Sequence, residues 1–226
     1  MRRQLRGPAL LHDPVYECTP THAESQQRIY HQLLQAGLPA AFRHCTFETL
    51  ASHHRPAAYQ ICRAYARTGQ HQGKSGLLLI GPPGTGKTSL AAALLHQVVA
   101  RTAGDAGVRF WNVPRGLEAL GTPPKGPRRR VLDLLDYQLV VLDEVGQPLR
   151  TGWERVQFYT LINELWNADR QLILTTDLTP AALVQRLTVA VLSRLLGMCA
   201  TVVVRDRDPK VVKTSPDRQK LERQRP

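Results

Sequence analysis

The sequence lacks most features that would tie it to a membrane, to secretion or to a structural metal. Its 226 residues include only four cysteines, Cys18, Cys45, Cys62 and Cys199. They stand far apart, with no C-x-x-C pair and no C-x-x-C-H, so neither a zinc ribbon nor a redox motif is indicated. Ordinary reduced thiols of a cytosolic chain are expected. No apolar run approaches the roughly 18 residues of a spanning helix. The N-terminal "MRRQLRGPALLHDP" joins basic residues to a short apolar stretch broken by proline. Neither a secretory leader nor membrane insertion is expected, and the expected location is cytoplasmic. The eight histidines are scattered, and His44 and the pair His53-His54 have no supporting ligands. Acidic residues are also scarce: 18 against 30 basic ones leave a net charge of +12. Such a surface attracts polyanions, nucleic acid first and anionic membrane second.

The chain has enough residues for one substantial α/β domain with short appendages, and 42% hydrophobic content is ordinary for such a domain. No internal repeat occurs. Residues 1 to about 22 read as irregular. From Glu24, "ESQQRIYHQLLQAGLP" places Ile29, Leu33 and Leu34 at helical spacing and stops at Gly37 and Pro39. A second helix is expected from Pro56 to Arg67. From 76 to 205, apolar runs alternate with helical stretches. The runs are "GLLLIG", "VRFWNV", "LVVLDEVG", "QLILTTD" and "ATVVVR"; the helices are expected at 87–101, 114–120, 153–167 and 180–196. Short continuous strands separated by crossover-length segments predict a five-stranded parallel sheet covered on both faces. The organisation expected is an N-terminal extension with a helix over 1–50, a core over 51–205 and a charged tail over 206–226. That tail is expected to be mobile, or ordered only by a partner.

The chemistry concentrates at "GPPGTGKTS", residues 81–89, between the first strand and an alanine-rich helix. Gly81, Gly84, Gly86, Lys87 and Thr88 satisfy G-x-x-x-x-G-K-[ST], with Pro82, Pro83, Thr85 and Ser89 completing the loop. Glycines let the backbone turn tightly and aim N–H groups inward, which makes an anion nest at the positive end of the following helix. Lys87 is expected to reach the β- and γ-phosphates of ATP, and the Thr88 hydroxyl to ligate Mg²⁺. "LVVLDEVG" adds a buried strand ending in two acids, at the carboxyl edge where ligands of open parallel sheets bind. Asp143 is expected to hold Mg²⁺ directly or through water, with Glu144 as general base for the attacking water. Hydrolysis is therefore expected rather than passive binding, and no metal site other than that of the nucleotide's Mg²⁺.

"GPPGTGKT", "LVVLDEVG" and "LILTTD", in this order and spacing, resemble the AAA+ ATPases. Within them, the match is to the DnaC/IstB-type group of bacterial helicase loaders and transposition helpers. Flanking strings agree: "LLQAGLPAAFRHCTFETL", "VRFWNVPRGLEAL", "RTGWERVQFYTLINELWN" and "LTPAALVQRLTVAVLSRL". The similarity spans about residues 33–205. It implies a P-loop NTPase fold, a three-layer sandwich with a short helical N-terminal region; as a departure from larger AAA+ proteins, the sequence ends soon after the fifth strand, and little or no C-terminal lid is expected. At the sensor I position, where the family usually has asparagine, this chain has Asp177. Asp177 could orient water while adding negative charge near the γ-phosphate, or simply cap the next helix. Arg194 matches the family's arginine finger, which would complete a neighbour's site in a homo-oligomer; the alternative is a surface arginine on an amphipathic helix. Ala190 stands where many loaders carry a second arginine, and Lys210 lies roughly where a sensor II residue would fall.

"GTPPKGPRRR", residues 121–130, resembles the DNA-facing insertion of initiator and loader ATPases. Lys125, Arg128, Arg129 and Arg130 could neutralise phosphates there, or form a solvated charged loop. Trp111 is the nearby candidate for base stacking, unless its strand buries it. The resemblance implies an ATPase that loads or remodels a replicative helicase on single-stranded DNA. The alternatives are an IstB-like helper of a transposase and a nucleotide-gated adaptor with little turnover.

Overall fold

The computed structural model describes residues 22–51, 56–102, 107–120 and 131–205. Five strands form one parallel sheet: β1 (Gly76–Ile80), β2 (Val108–Asn112), β3 (Leu139–Asp143), β4 (Gln171–Thr176) and β5 (Cys199–Val203), in the order β2-β3-β4-β1-β5. Central β1 and β3 are buried at every residue, whereas edge strands β2 and β5 keep partly exposed positions. This is why the central runs read as continuous apolar strings rather than alternating ones.

Successive side chains of each strand enter opposite faces of the sheet, and both faces are apolar. Leu77, Leu79, Leu139, Val141 and Ile173 join one cluster with α1 (His22–Gln35), α2 (Phe47–Ala51), α3 (Pro56–Thr68) and α4 (Lys87–Arg101). Leu78, Ile80, Val140, Leu142, Leu172 and Leu174 join the other. That second layer comprises α5 (Val113–Leu120), α6 (Gly152–Asn167), α7 (Pro180–Arg186) and α8 (Val189–Met198). The result is the expected three-layer α/β sandwich.

Helix α4 lies between the sheet and α1, α2 and α3, so it has little solvent-facing surface. Ala91, Ala92 and Ala93 are fully buried alongside Leu90, Leu94 and Leu95. Small side chains are what permit helices to close on it from several directions. Arg101, at its far end, donates to the carbonyls of Ala66 and Arg67 at 2.6 and 2.7 Å and caps α3.

The stretch 180–196, expected as one helical segment, divides into α7 and α8. Thr179 and Thr188 both adopt extended backbone, and their hydroxyls accept from Ala182 and Val191 N–H respectively, so each starts a helix of its own. Helix α6 begins with a capping box: the Thr151 hydroxyl accepts from Glu154 N–H at 3.1 Å, and the Glu154 carboxylate accepts from Thr151 N–H at 3.3 Å. Thr151→Ala is expected to lower stability by about 1 kcal/mol, measured as a shift in the urea midpoint with an unchanged slope.

Free cysteines Cys45, Cys62 and Cys199 are all buried. Burial pushes the thiols of Cys62 and Cys199 up to about 12, which keeps them protonated and unreactive near neutrality. Among the described residues, no helix is long and apolar enough to cross a membrane.

Candidate nucleotide site

The strand register brings the polar strand ends to one edge. Ile80 pairs with Thr176, and Asn112 pairs with Asp143. The loop after β1 leaves from this edge and turns into α4. Gly81 meets the end of β5 so closely that a Cβ there would lie 2.0 Å from the Val204 carbonyl oxygen. Only glycine fits. Gly86 is the N-cap of α4 at φ 81°, ψ 31°, a left-handed conformation that side chains disfavour. A glycine cap supplies no side-chain acceptor for the first-turn N–H groups, and this favours an anion at the positive end of the helix.

Pro83, Gly84, Gly86, Lys87, Thr88 and Ser89 line a cleft of about 390 Å³ with Glu144, Thr175, Thr176, Asp177 and Phe42. Lys87 is only 6% exposed. Its ammonium donates to the Pro82 carbonyl at 2.7 Å, pairs with Asp177 at 2.5 Å and lies 3.5 Å from the Thr85 hydroxyl. Thr85 in turn donates to the Pro82 carbonyl at 2.9 Å, which closes the loop on itself. The Asp143 carboxylate accepts from the hydroxyls of Thr88 at 2.9 Å and Thr175 at 2.7 Å, and from the Asn112 amide at 3.4 Å. It is buried among neutral donors, and Lys87 pairs with Asp177 instead.

Glu144 has a left-handed backbone, φ 61°. Thr175 holds it there: its hydroxyl accepts from Glu144 N–H at 3.0 Å, and its carbonyl accepts from Val145 N–H at 2.8 Å. The Asn112 amide also donates to the Glu144 carboxylate at 3.1 Å. Asn112, Thr175 and Phe42 are site residues that sequence motifs do not assign. The available signals were slight: a polar residue ending an apolar strand, a hydroxyl within "TTD", and an aromatic before the core.

Asp177 does not cap α7, a role filled by Thr179; it reaches back to Lys87. Arg194 lies away from this cleft, on the α6–α8 face. Its guanidinium donates to the Ala190 carbonyl at 3.1 Å and stands 5.8 Å from the Tyr159 ring centroid, with Nε buried and without a partner among the described residues. Trp111 is partly buried, and its indole occupies the space a Cβ at Gly116 would need. Lys125, Arg128, Arg129, Arg130 and Lys210 lie outside the described residues, as does the tail over 206–226.

A glycine loop opening a buried helix, an acidic strand end beside it and the order β2-β3-β4-β1-β5 define a P-loop nucleotide-binding protein of AAA+ architecture. The chain belongs to the family of IstB-like ATP binding proteins, whose model matches residues 20–214. It is similar to the uncharacterized protein YdaV of Escherichia coli (strain K12), with 23% identity over 180 residues, 79% of this chain and 73% of YdaV. Its fold resembles the crystal structure of the DnaC helicase loader, with 23% identity and a TM-score of 0.59, covering 74% of this chain and 99% of that one. It also resembles the replication initiator DnaA bound to AMPPCP and single-stranded DNA, at 20% identity and a TM-score of 0.58, over 74% of this chain and 50% of that one.

Proposed function

We propose that the chain is an ATP-hydrolysing AAA+ protein that loads or remodels a replicative DNA helicase on single-stranded DNA. One observation carries the enzymatic part: the hydrogen bond from Thr88 to Asp143, with Lys87 and Glu144 lining the same cleft. Lys87 and the first-turn N–H groups of α4 bind the phosphates. Thr88 and Asp143 suit Mg²⁺, because they offer hard oxygen donors around a buried carboxylate that pairs with no cation among the described residues. When bound, the ion neutralises charge on the phosphate oxygens. Glu144 polarises the attacking water, and Asn112 and Thr175 hold it at the strand edge. Phe42 offers an apolar wall to the rest of the nucleotide.

Arg194 is assigned to the neighbouring subunit's site in a homo-oligomer. Its surroundings support that role: Tyr159 beside it, and Val156 and Trp166 at helical spacing from Tyr159 along α6, are large apolar side chains left exposed. The helicase and DNA parts draw support from the net charge of +12 and from the likeness to a helicase loader over nearly its whole length. Lys125, Arg128, Arg129 and Arg130 are the proposed phosphate contacts.

Phosphate release measured with and without single-stranded DNA and a replicative helicase tests this function. Single-stranded DNA is expected to raise the rate several-fold, with affinity falling steeply between about 50 and 200 mM salt. Preferential ATP-dependent binding and bending of duplex DNA would instead mark a transposase helper. A rate unmoved by DNA and helicase, together with a silent Glu144→Gln, would leave a nucleotide-gated adaptor.

A further inference from the structure

We propose that Asp177 sets the nucleotide affinity of this site, its carboxylate holding Lys87 in the place a terminal phosphate takes, so that a triphosphate binds by displacing it. The proposal rests on the nucleotide reading above. An ammonium has three N–H donors. Around Lys87 stand three acceptors, the Pro82 carbonyl, the Thr85 hydroxyl and Asp177, so the ammonium is already satisfied without a ligand. Of these, Pro82 is backbone and Thr85 is tied to it at 2.9 Å. Asp177 carries a full charge and is 34% exposed, against 6% for Lys87. It is the partner that can leave, because water can solvate the released carboxylate.

Nothing local accounts for that carboxylate. The next N–H, of Leu178, bonds to the Thr176 hydroxyl at 3.2 Å, and Thr179 caps the following helix. Among the described residues, Asp177 therefore spends its charge on Lys87. Glu144 lines the same cleft and Asp143 abuts it through Thr88 and Thr175, so an arriving triphosphate meets three carboxylates and must also take the lysine from one of them. An amide at position 177 would keep the shape and remove both obstacles. This makes Asp177 a positioning and affinity-determining residue, with no part in bond breaking.

The experiment compares the full chain with Asp177→Asn, Asp177→Ser and Lys87→Ala, titrating AMPPCP in excess Mg²⁺ and recording melting temperatures without nucleotide. Both Asp177 variants are expected to bind at least about tenfold more tightly, equivalent to about 1.4 kcal/mol. A merely structural aspartate would lower the melting temperature and leave affinity unchanged or weaker. If Asp177→Asn and Asp177→Ser bind no more tightly than the parent while Lys87→Ala loses binding, this proposal falls and the nucleotide site stands. If neither the parent nor either Asp177 variant binds AMPPCP, both fall. A silent parent with a binding Asp177→Asn supports the proposal in its strongest form.

Discussion

Glu144→Gln is expected to cut ATP turnover at least about a hundredfold while leaving AMPPCP affinity within a few-fold of the parent. A positioned general base contributes about 10² to 10⁴ in rate, and glutamine has no carboxylate with which to draw a proton from water. The substitution is nearly isosteric. Its remaining carbonyl oxygen can still accept the hydrogen bond that Asn112 gives to the carboxylate at 3.1 Å. The left-handed backbone at this position is held through main-chain N–H groups and Thr175, which the change does not touch. Binding and chemistry should therefore separate cleanly. Phosphate release under saturating ATP, with DNA and helicase present, reads the first quantity, and an equilibrium titration reads the second. Equal loss of both would point to collapse of the cleft rather than to a missing base.

Leu94→Ala is expected to destabilise the fold by about 2–5 kcal/mol, because Leu94 is fully buried in a helix enclosed by three others and the sheet. At roughly 2–4 °C per kcal/mol for a domain of this size, the melting temperature should fall by about 10 °C. The neighbours have little room to collapse into the space, since Ala91, Ala92 and Ala93 already bring the layers close. The same helix opens at the phosphate loop, so saturating ATP should recover part of the loss by mass action. Thermal unfolding followed by far-UV circular dichroism, with and without nucleotide, gives both numbers. A fall under about 2 °C would mean that α4 is far less enclosed than it looks.

The parts of the fold legible in sequence are those encoded by neighbours along the chain. "GPPGTGKTS" is contiguous, and its spacing alone specifies loop and helix start. Continuous apolar runs announce strands covered on both faces, and all five occur. Helix α2, five residues long, is too short for periodicity to register. The break between α7 and α8 is hidden because Leu187 continues the apolar pattern, while the extended Thr188 behind it starts a new helix by accepting from Val191 N–H. Site residues that escaped sequence reading act across the sheet. Asn112 meets Asp143 and Glu144 from 31 and 32 residues away, and Thr175 meets Asp143 from 32. Such pairs exist only once the register is set, and no local string encodes them. Asp177 shows the opposite case. Its carboxylate at the end of "LILTTD" is plain in the string, but its partner, 90 residues earlier in the chain, is visible only in the fold.

The close approach of Gly81 to Val204 bears on the order in which the protein becomes competent. Val204 N–H donates to the Ile80 carbonyl at 2.7 Å, and its own carbonyl leaves no space for a side chain at residue 81. The phosphate loop is thus seated by a residue more than a hundred positions later in the chain. While synthesis proceeds, "GPPGTGKTS" emerges early yet has no β5 to rest against until residue 204 has cleared the ribosome. A nascent or truncated chain ending before β5 would carry the full phosphate-binding string and still lack the edge that shapes it.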